Sequence, residues 1–413
     1  MVPNLLKPSQ LGEIPKDWKR VKLSDVMKVR QGLQIAISER LTSPTSTSKE
    51  YITIQSIKKT DQVREYVEAP SQRVICSKDD VLMTRTGNTG IVVTGVEGAF
   101  HNNFFLMDFD KNRINTTFLV NYLRSPRIQH LILTKAGAST IPDLNHKDFY
   151  SIEFPLAPIL EQQKIAKILS TWDKAISTTE RLIDNSTQQK KALMQQLLTG
   201  KKRLLDDEGE RFEGEWDWVD LEDVCDVKGG KRLPKGNALS EAKTSNPYIR
   251  VADMYMGGVD LSDIKYVPES IAPLIKNYTI SKDDLFITVA GTLGIVGKIP
   301  NELDGANLTE NADKLTNIKC DKTFLLYVMM SSIIQRYIEA ESTQNAQPKL
   351  ALARIRGFKV PLPNLEEQQK IATVLTNADK EIELLEQQLA DLQQEKKALM
   401  QVLLTGKVRV VVE

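Results

Sequence analysis

Apolar residues recur in alternating steps of four and three along two stretches of the chain. The first stripe runs Ile165, Leu169, Trp172, Ile176, Thr179, Ile183, Ser186, Lys190, Leu193 and Leu197. The second runs Ile371, Leu375, Ala378, Ile382, Leu385, Leu389, Leu392, Lys396, Leu399 and Leu403. This spacing gives each stretch one apolar face and predicts two helices that pack along a coiled-coil seam. Gln, Glu, Lys, Leu and Ala dominate both stretches, and all are good helix formers. Pro158 and Pro363 stand just before them and Gly200 and Gly406 just after, where helix starts tolerate proline and helix ends favour glycine. A helix of about 40 residues is roughly 60 Å long. Lys190 and Lys396, with Thr179 and Ser186, interrupt the seam and predict a fixed register or orientation.

Elsewhere the pattern shortens. Tyr51–Ile57, Asp80–Arg85, Gly90–Thr94 and Phe104–Asp108 predict short strands, and Thr117–Leu133 and Phe324–Ala340 predict amphipathic helices. The regions outside the long helices are therefore mixed α and β.

The two helical stretches are copies of each other. Glu161-Gln162-Gln163-Lys164-Ile165-Ala166 recurs as Glu367-Gln368-Gln369-Lys370-Ile371-Ala372, and Leu197-Leu198-Thr199-Gly200-Lys201 recurs as Leu403-Leu404-Thr405-Gly406-Lys407. The offset is 206 throughout, with 23 identities in the 41 positions from 161 to 201. A repeat of this length outranks every other signal in the chain. It continues more weakly outside the helices. Trp18-x-x-Val21-x-Leu23-x-Asp25-Val26 matches Trp216-x-x-Val219-x-Leu221-x-Asp223-Val224 at offset 198, and Asp80–Val92 matches Asp284–Val296 at offset 204. Pro142-x-Leu144 matches Pro348-x-Leu350 at offset 206. The offset drifts while the order is kept, so two units share a fold and differ in their loops. The order is domain, helix, domain, helix, with boundaries at 1–158, 159–206, 207–363 and 364–413. The fold class is α+β, a pseudo-twofold internal repeat.

Composition is that of a globular chain, with 41% hydrophobic and 26% charged residues. No run of about 18 apolar residues predicts a membrane span, and Met1–Gln10 lacks the pattern of a secretory signal. Cys76, Cys225 and Cys320 are too widely spaced for a zinc site or a disulfide framework, which predicts a reducing cytoplasm. Net charge is +1, but residues 1–160 carry 21 Lys and Arg against 16 Asp and Glu, and residues 207–365 carry 19 against 24. A chain that gripped DNA alone would need phosphate-neutralising charge in both halves. If this one reads DNA, a partner supplies part of the grip.

Catalytic motifs do not emerge. The three histidines, His101, His130 and His146, all lie in the first unit, so a histidine site would break the repeat. Asn246-Pro247-Tyr248 lacks the second proline of an amino-methyltransferase motif and reads as a turn into a strand. Leu198-Thr199-Gly200-Lys201 lacks the earlier glycine of a phosphate loop, that position being Gln195, and reads as a helix stop. No metal site is expected.

The segment Arg85-Thr86-Gly87-Asn88-Thr89-Gly90 is more informative. A strand leads into a glycine-bounded turn whose Arg85, Thr86, Asn88 and Thr89 can contact bases or phosphates. Its match in the second half is Val289-Ala290-Gly291-Thr292-Leu293-Gly294. The glycines are kept and the side chains change, with Thr292 replacing Asn88. Lys228-Gly229-Gly230-Lys231-Arg232 is a basic loop inside the acidic half, so Lys231 and Arg232 are further candidates. Gln31, Gln34, Asn102 and Asn103 complete the set.

The two segments Pro155–Ala166 and Pro361–Ala372, the two Leu-Leu-Thr-Gly-Lys endings and Ile14-Pro15-x-x-Trp18 resemble the specificity subunit of type I restriction–modification systems. The resemblance covers essentially the whole chain. It implies two target-recognition domains separated by two long helices packed as an antiparallel coiled coil. It implies a non-catalytic subunit that reads a bipartite, asymmetric site in double-stranded DNA. Two modification subunits would bind S-adenosylmethionine and methylate adenine, and two restriction subunits using ATP and magnesium can join. No cofactor is implied on this chain.

Overall fold

The computed structural model describes residues 6–9, 12–58, 63–138, 140–342 and 349–411. Most of the Met1–Gln10 segment and Pro348 of the repeat lie outside the described residues. By contact the chain divides into two units, Met1–Glu180 with Gln387–Glu413, and Arg181–Glu386. The division falls inside both long helices.

The first unit carries β1 (Lys19–Lys22), β2 (Met27–Gln31), β3 (Lys49–Ile52), β4 (Tyr66–Val67), β5 (Ile75–Cys76), β6 (Val81–Thr84), β7 (Val92–Val93), β8 (Gly98–Phe100), β9 (Phe104–Phe109) and β10 (Glu153–Leu156). Besides the short helix Ile54–Lys58, its helices include α1 (Thr116–Arg124), α2 (Pro126–Ala136), α3 (His146–Tyr150) and the first part of α4 (Ile159–Leu197). The second unit carries β11 (Asp217–Asp220), β12 (Asp226–Gly229), β13 (Pro247–Ile249), β14 (Lys265–Tyr266), β15 (Thr279–Ile280), β16 (Leu285–Thr288), β17 (Val296–Lys298), β18 (Ala306–Leu308), β19 (Ala312–Thr316) and β20 (Lys359–Leu362). Besides the single-turn helices Leu221–Val224 and Ala272–Ile275, its helices include α5 (Lys322–Met330), α6 (Ser332–Ser342), α7 (Leu352–Arg356) and the first part of α8 (Leu365–Leu403).

Three sheets repeat strand for strand, while the hairpins Leu6–Ser9/Gly12–Pro15 of the first unit and Met254–Tyr255/Gly258–Val259 of the second have no counterpart among the described residues. A sheet ordered β2-β9-β6-β7 recurs as β12-β19-β16-β17, one ordered β4-β3-β8-β5 recurs as β14-β13-β18-β15, and the pair β1-β10 recurs as β11-β20. Even the parallel pairing of β3 with β8 recurs, as β13 with β18.

Several local expectations needed correction. The strand expected over Tyr51–Ile57 ends at Ile52, and a short helix follows over Ile54–Lys58. The cause is local: the Thr53 amide donates to Ser56 Oγ (2.9 Å) and the Ser56 amide to Thr53 Oγ1 (3.1 Å), closing a turn that competes with the strand ladder. The helix expected over Thr117–Leu133 is two, broken at Ser125, because Pro126 has no amide to continue the hydrogen bonding. The helix expected over Phe324–Ala340 also breaks, without a proline: Ser331 is extended (φ −74°, ψ 161°) and its hydroxyl donates to the Val328 carbonyl (2.6 Å). The long helices end at Leu197 and Leu403, so the segments 198–206 and 404–411 are not helical apart from turns.

Every position of the two seams is buried or half-buried, while most flanking positions are exposed. Ile165 and Leu169 of α4 share the first unit's core with Met400, Leu403 and Leu404 of α8. Leu197 and Leu198 share the second unit's core with Ile371 and Leu375. Lys396 pairs with Asp173 in the first unit, and Lys190 with Asp379 in the second, the same pair at offset 206. Where α4 numbers rise, the facing α8 numbers fall, as Ser186–Glu381 and Lys190–Asp379 show, so the segments run antiparallel within that unit. Each seam lysine thus pairs with a carboxylate on the facing helix, which is how a polar seam residue fixes register.

The repeated Glu-Gln pair at each helix start is a structural latch. Trp18 Nε1 donates to Glu161 Oε2 (3.0 Å), and Arg409 donates Nε to Oε1 (2.7 Å) and Nη2 to Oε2 (2.9 Å). In the second unit Trp216 Nε1 donates to Glu367 Oε2 (3.1 Å), and Arg203 donates Nε and Nη2 to its two oxygens (2.7 Å each). The neighbouring amide ties in the next element: Gln162 Oε1 accepts from Asn115 (2.9 Å), the cap of α1, and Gln368 Oε1 from Asp321 (2.8 Å), the cap of α5. Arg203 and Arg409 lie just past the recognised repeat. Their common offset of 206 was the signal available in the sequence.

Candidate nucleic-acid interface

In each unit the loops at one end of the β2-β9-β6-β7 sheet, or its counterpart, converge. The turn after β6 begins with Thr84, whose hydroxyl donates to the Asn88 carbonyl and accepts from the Ile91 amide (2.9 Å). Thr288 does the same with the Thr292 carbonyl (2.5 Å) and the Ile295 amide (2.9 Å). Gly87 and Gly90 have φ of 82° and 92°, and Gly291 and Gly294 have 79° and 77°, a region side chains avoid. From below, Gln129 Nε2 donates to the Gly90 carbonyl (2.9 Å), as Gln335 Nε2 does to Gly294 (3.0 Å). These glutamines share the 206 offset, which could have revealed them.

Neighbouring loops are tied to the turn by backbone. The Arg85 amide donates to the Asn103 carbonyl (2.7 Å) and the Leu144 amide to the Arg85 carbonyl (2.8 Å); Val289 with Asn311 (2.8 Å) and Leu350 with Val289 (2.9 Å) repeat both bonds. The loop after β2 closes on the β8–β9 turn through Gly32, where a Cβ would lie 2.0 Å from the Phe100 carbonyl oxygen. Gly230 is equivalent, 2.0 Å from the Thr309 carbonyl oxygen. Only glycine permits that approach.

On this shared frame the side chains differ. Arg85 is not a solvated turn residue. Its side chain is 16% exposed, its Nη2 donates to both Asp143 oxygens (2.9 Å each), and its guanidinium lies 5.4 Å from the Phe105 ring centre. Thr86 donates to the same Asp143 carboxylate, and Thr89 is buried, its hydroxyl 2.9 Å from the Arg85 carbonyl and 2.8 Å from that of Pro142. Arg85, Thr86 and Thr89 therefore shape the turn, while Asn88 and, in the second unit, Thr292 are exposed. Gln31 Nε2 donates to the Asn102 carbonyl (3.2 Å), and Asn102 Nδ2 donates to Gln34 Oε1 (2.9 Å). The Asn103 amide donates to His101 Nδ1 (3.0 Å). At the positions of Gln34 and Asn102, the second unit has Arg232 and Glu310, joined through Arg232 Nε. Lys231 Nζ lies 5.5 Å from the Tyr278 ring centre.

The sequence singled out Arg85, Thr86 and Arg232 but not their partners, Asp143 for the first two and Glu310 for the third. Asp143 is the variable residue inside Pro142-x-Leu144, and its counterpart is the exposed Lys349. That inversion of charge within a kept frame was the available signal.

Electrostatics follow these contacts. Burial, then the Arg85 charge, lowers the His146 pKa, and burial, then Arg40, lowers that of His101, so both are neutral at physiological pH. Burial would raise the Glu310 pKa, but the bond from Arg232 holds it below the ordinary carboxylate value. Asp313 on β19 takes the place of Phe105, and burial pushes its pKa up to about 6 against the opposing charges of Lys349 and Arg356. Burial also pushes the Cys76 and Cys320 thiols up to about 11 and the Cys225 thiol up to about 12, so none is a ready nucleophile. Among the described residues no group of three or more His, Cys, Asp or Glu is arranged to hold a metal ion. Among them, too, no helix is long and apolar enough to cross a membrane.

The type I restriction modification DNA specificity domain matches residues 15–185 and 213–394, once per unit of the repeat. The MjaVIII type I restriction enzyme specificity subunit of Methanocaldococcus jannaschii is 25% identical over 412 residues, covering 96% of this chain and 94% of that protein. The EcoBI specificity subunit of Escherichia coli is 21% identical, covering 87% of this chain and 78% of that one. The crystal structure of a type I restriction–modification S subunit from M. genitalium has the same fold, with a TM-score of 0.56 at 18% identity over 98% of this chain and 97% of that one.

Proposed function

Because the chain belongs to the type I restriction–modification DNA specificity family, we propose that it is the non-catalytic subunit that reads a bipartite, asymmetric DNA site. The recognition domains are 1–158 and 207–363, and each reads one half of the site through its loop cluster. Within the segments 159–206 and 364–413, the helices α4 and α8 pack as an antiparallel coiled coil and set the spacer between the halves. Adenine methylation is performed by two modification subunits that hold S-adenosylmethionine, and two restriction subunits using ATP and magnesium can join for restriction.

One observation carries this reading. The same loops are built twice on equivalent backbone bonds, with Arg85, Asn88, Gln34 and Asn102 in one unit and Val289, Thr292, Arg232 and Glu310 in the other. A shared frame with exchanged side chains suits two readers of different sequences, since phosphate contacts position a protein and side chains at base edges specify the site. Gln31, Asn88, Asn102 and Asn103 in the first unit and Lys231, Arg232 and Thr292 in the second are the contact set, with Arg85, Thr86 and Thr89 holding the turn.

The test is binding of the chain, assembled with its modification subunit, to a randomised duplex library. The expected result is two different short sequences at a fixed separation. Inserting four residues into α4 should change the separation and leave the bases alone. A palindromic or continuous site would overturn the reading.

A further inference from the structure

The exchange of Gln34 and Asn102 for Arg232 and Glu310 has a specific geometry. The loops carrying them are pinned alike: the amides of Leu33 and Lys231 donate to the carbonyls of Phe100 (3.0 Å) and Leu308 (2.8 Å). The hydroxyls of Tyr51 and Tyr248 donate to the carbonyls of Leu33 (3.0 Å) and Lys231 (2.9 Å). The next residue, Gln34 or Arg232, therefore starts from the same place. In the first unit it meets a neutral amide; in the second it meets a carboxylate that is itself only 26% exposed.

The Arg232 side chain is 76% exposed. A free arginine with that exposure would sample many rotamers, and ordering it on binding costs conformational entropy. Glu310 reduces that cost by accepting from Nε. It leaves the fork of Nη1 and Nη2, which donate to nothing among the described residues. Two parallel donors on a fixed plane match the O6 and N7 acceptors of guanine in the major groove. A phosphate grip asks for net positive charge instead, and the carboxylate beside Arg232 cancels it.

Resting on the function proposed above, we infer that Arg232, positioned by Glu310, reads a guanine in the half-site bound by the second unit. The Gln34–Asn102 pair holds the equivalent place in the other half-site and presents amide chemistry there, so the two halves differ at this position.

The experiment uses the full chain assembled with its modification subunit and a duplex library randomised in each half-site, at two salt concentrations. Arg232→Ala is expected to lower the guanine preference at one position of one half-site by roughly 10- to 100-fold and to leave the other half unchanged. Arg232→Lys keeps the charge but loses the fork, and is expected to behave like Arg232→Ala. Glu310→Gln is expected to relax the same position partly. Rescue by lysine, or an equal loss on all sequences with a salt slope smaller by about one, would make Arg232 a phosphate contact and overturn the inference. Unchanged preference in Arg232→Ala would overturn it too. A wild-type complex with no sequence preference at all would instead overturn the underlying function.

Discussion

The latch on the second long helix offers a direct test of how the unit is held together. Glu367 has a side chain only 1% exposed, and Arg203 is 17% exposed. Arg203→Met removes both guanidinium bonds to the carboxylate, together with bonds from Nη1 to the Gly214 carbonyl (2.7 Å) and from Nη2 to that of Glu213 (3.3 Å). Only the Trp216 indole then remains among the described side-chain donors to Glu367. An ionised carboxylate left buried after losing its partner costs about 3–5 kcal/mol. For a unit of this size each kcal/mol lowers Tm by about 2–4 °C, so the transition should fall by about 6–20 °C. Urea unfolding of the full chain, followed by tryptophan fluorescence, reads the change. The control is Arg203→Met combined with Glu367→Met, which removes the charge as well as its partner. That double variant should lie within about 2 kcal/mol of the wild type, because apolar groups of similar size replace a buried pair at small net cost. A single variant that costs less than about 1 kcal/mol, or a double variant as unstable as the single, would refute the latch.

Gly32→Ala and Gly230→Ala should each cost about 4 kcal/mol or more and sharply reduce soluble yield, because each Cβ would stand 2.0 Å from a carbonyl oxygen. Asp313, with its pKa raised from 3.8 to about 6, is protonated in both states at low pH; as pH rises from about 4 to 6 the unfolded chain ionises first and the second unit loses up to about 3 kcal/mol. Asp313→Asn should abolish that loss in denaturation measured across the pH series, and an unchanged pH profile would contradict the burial argument. Asp379→Ala should cost about 1–3 kcal/mol in thermal unfolding, since it strands both Lys190 and the Tyr327 hydroxyl, which donates to it at 2.6 Å. Its counterpart Asp173→Ala, at a site 48% exposed, should cost at most about 1 kcal/mol, and equal costs would count against the difference in burial.

The sequence by itself determined the two long helices, because a stripe such as Ile165, Leu169 and Trp172 repeats at the helix's own period and each residue's neighbours lie within one or two turns. It also determined that two units share a fold, and it located the Gly87–Gly90 and Gly291–Gly294 turns, since only glycine enters that backbone region without strain. The two breaks between paired helices divide along the same line: Pro126 announces one, while the break at Ser331 comes from packing and a single hydroxyl bond. What only the tertiary structure decided are the contacts between residues far apart in the chain. Trp18 meets Glu161 across 143 residues and Arg409 meets it across 248. Arg85 meets Asp143 across 58 residues, and Arg232 meets Glu310 across 78. No periodicity encodes such meetings. They depend on which loops the sheet order brings to one end, and that order is set by non-local strand pairing, whose hydrogen bonds are the same for almost any side chain.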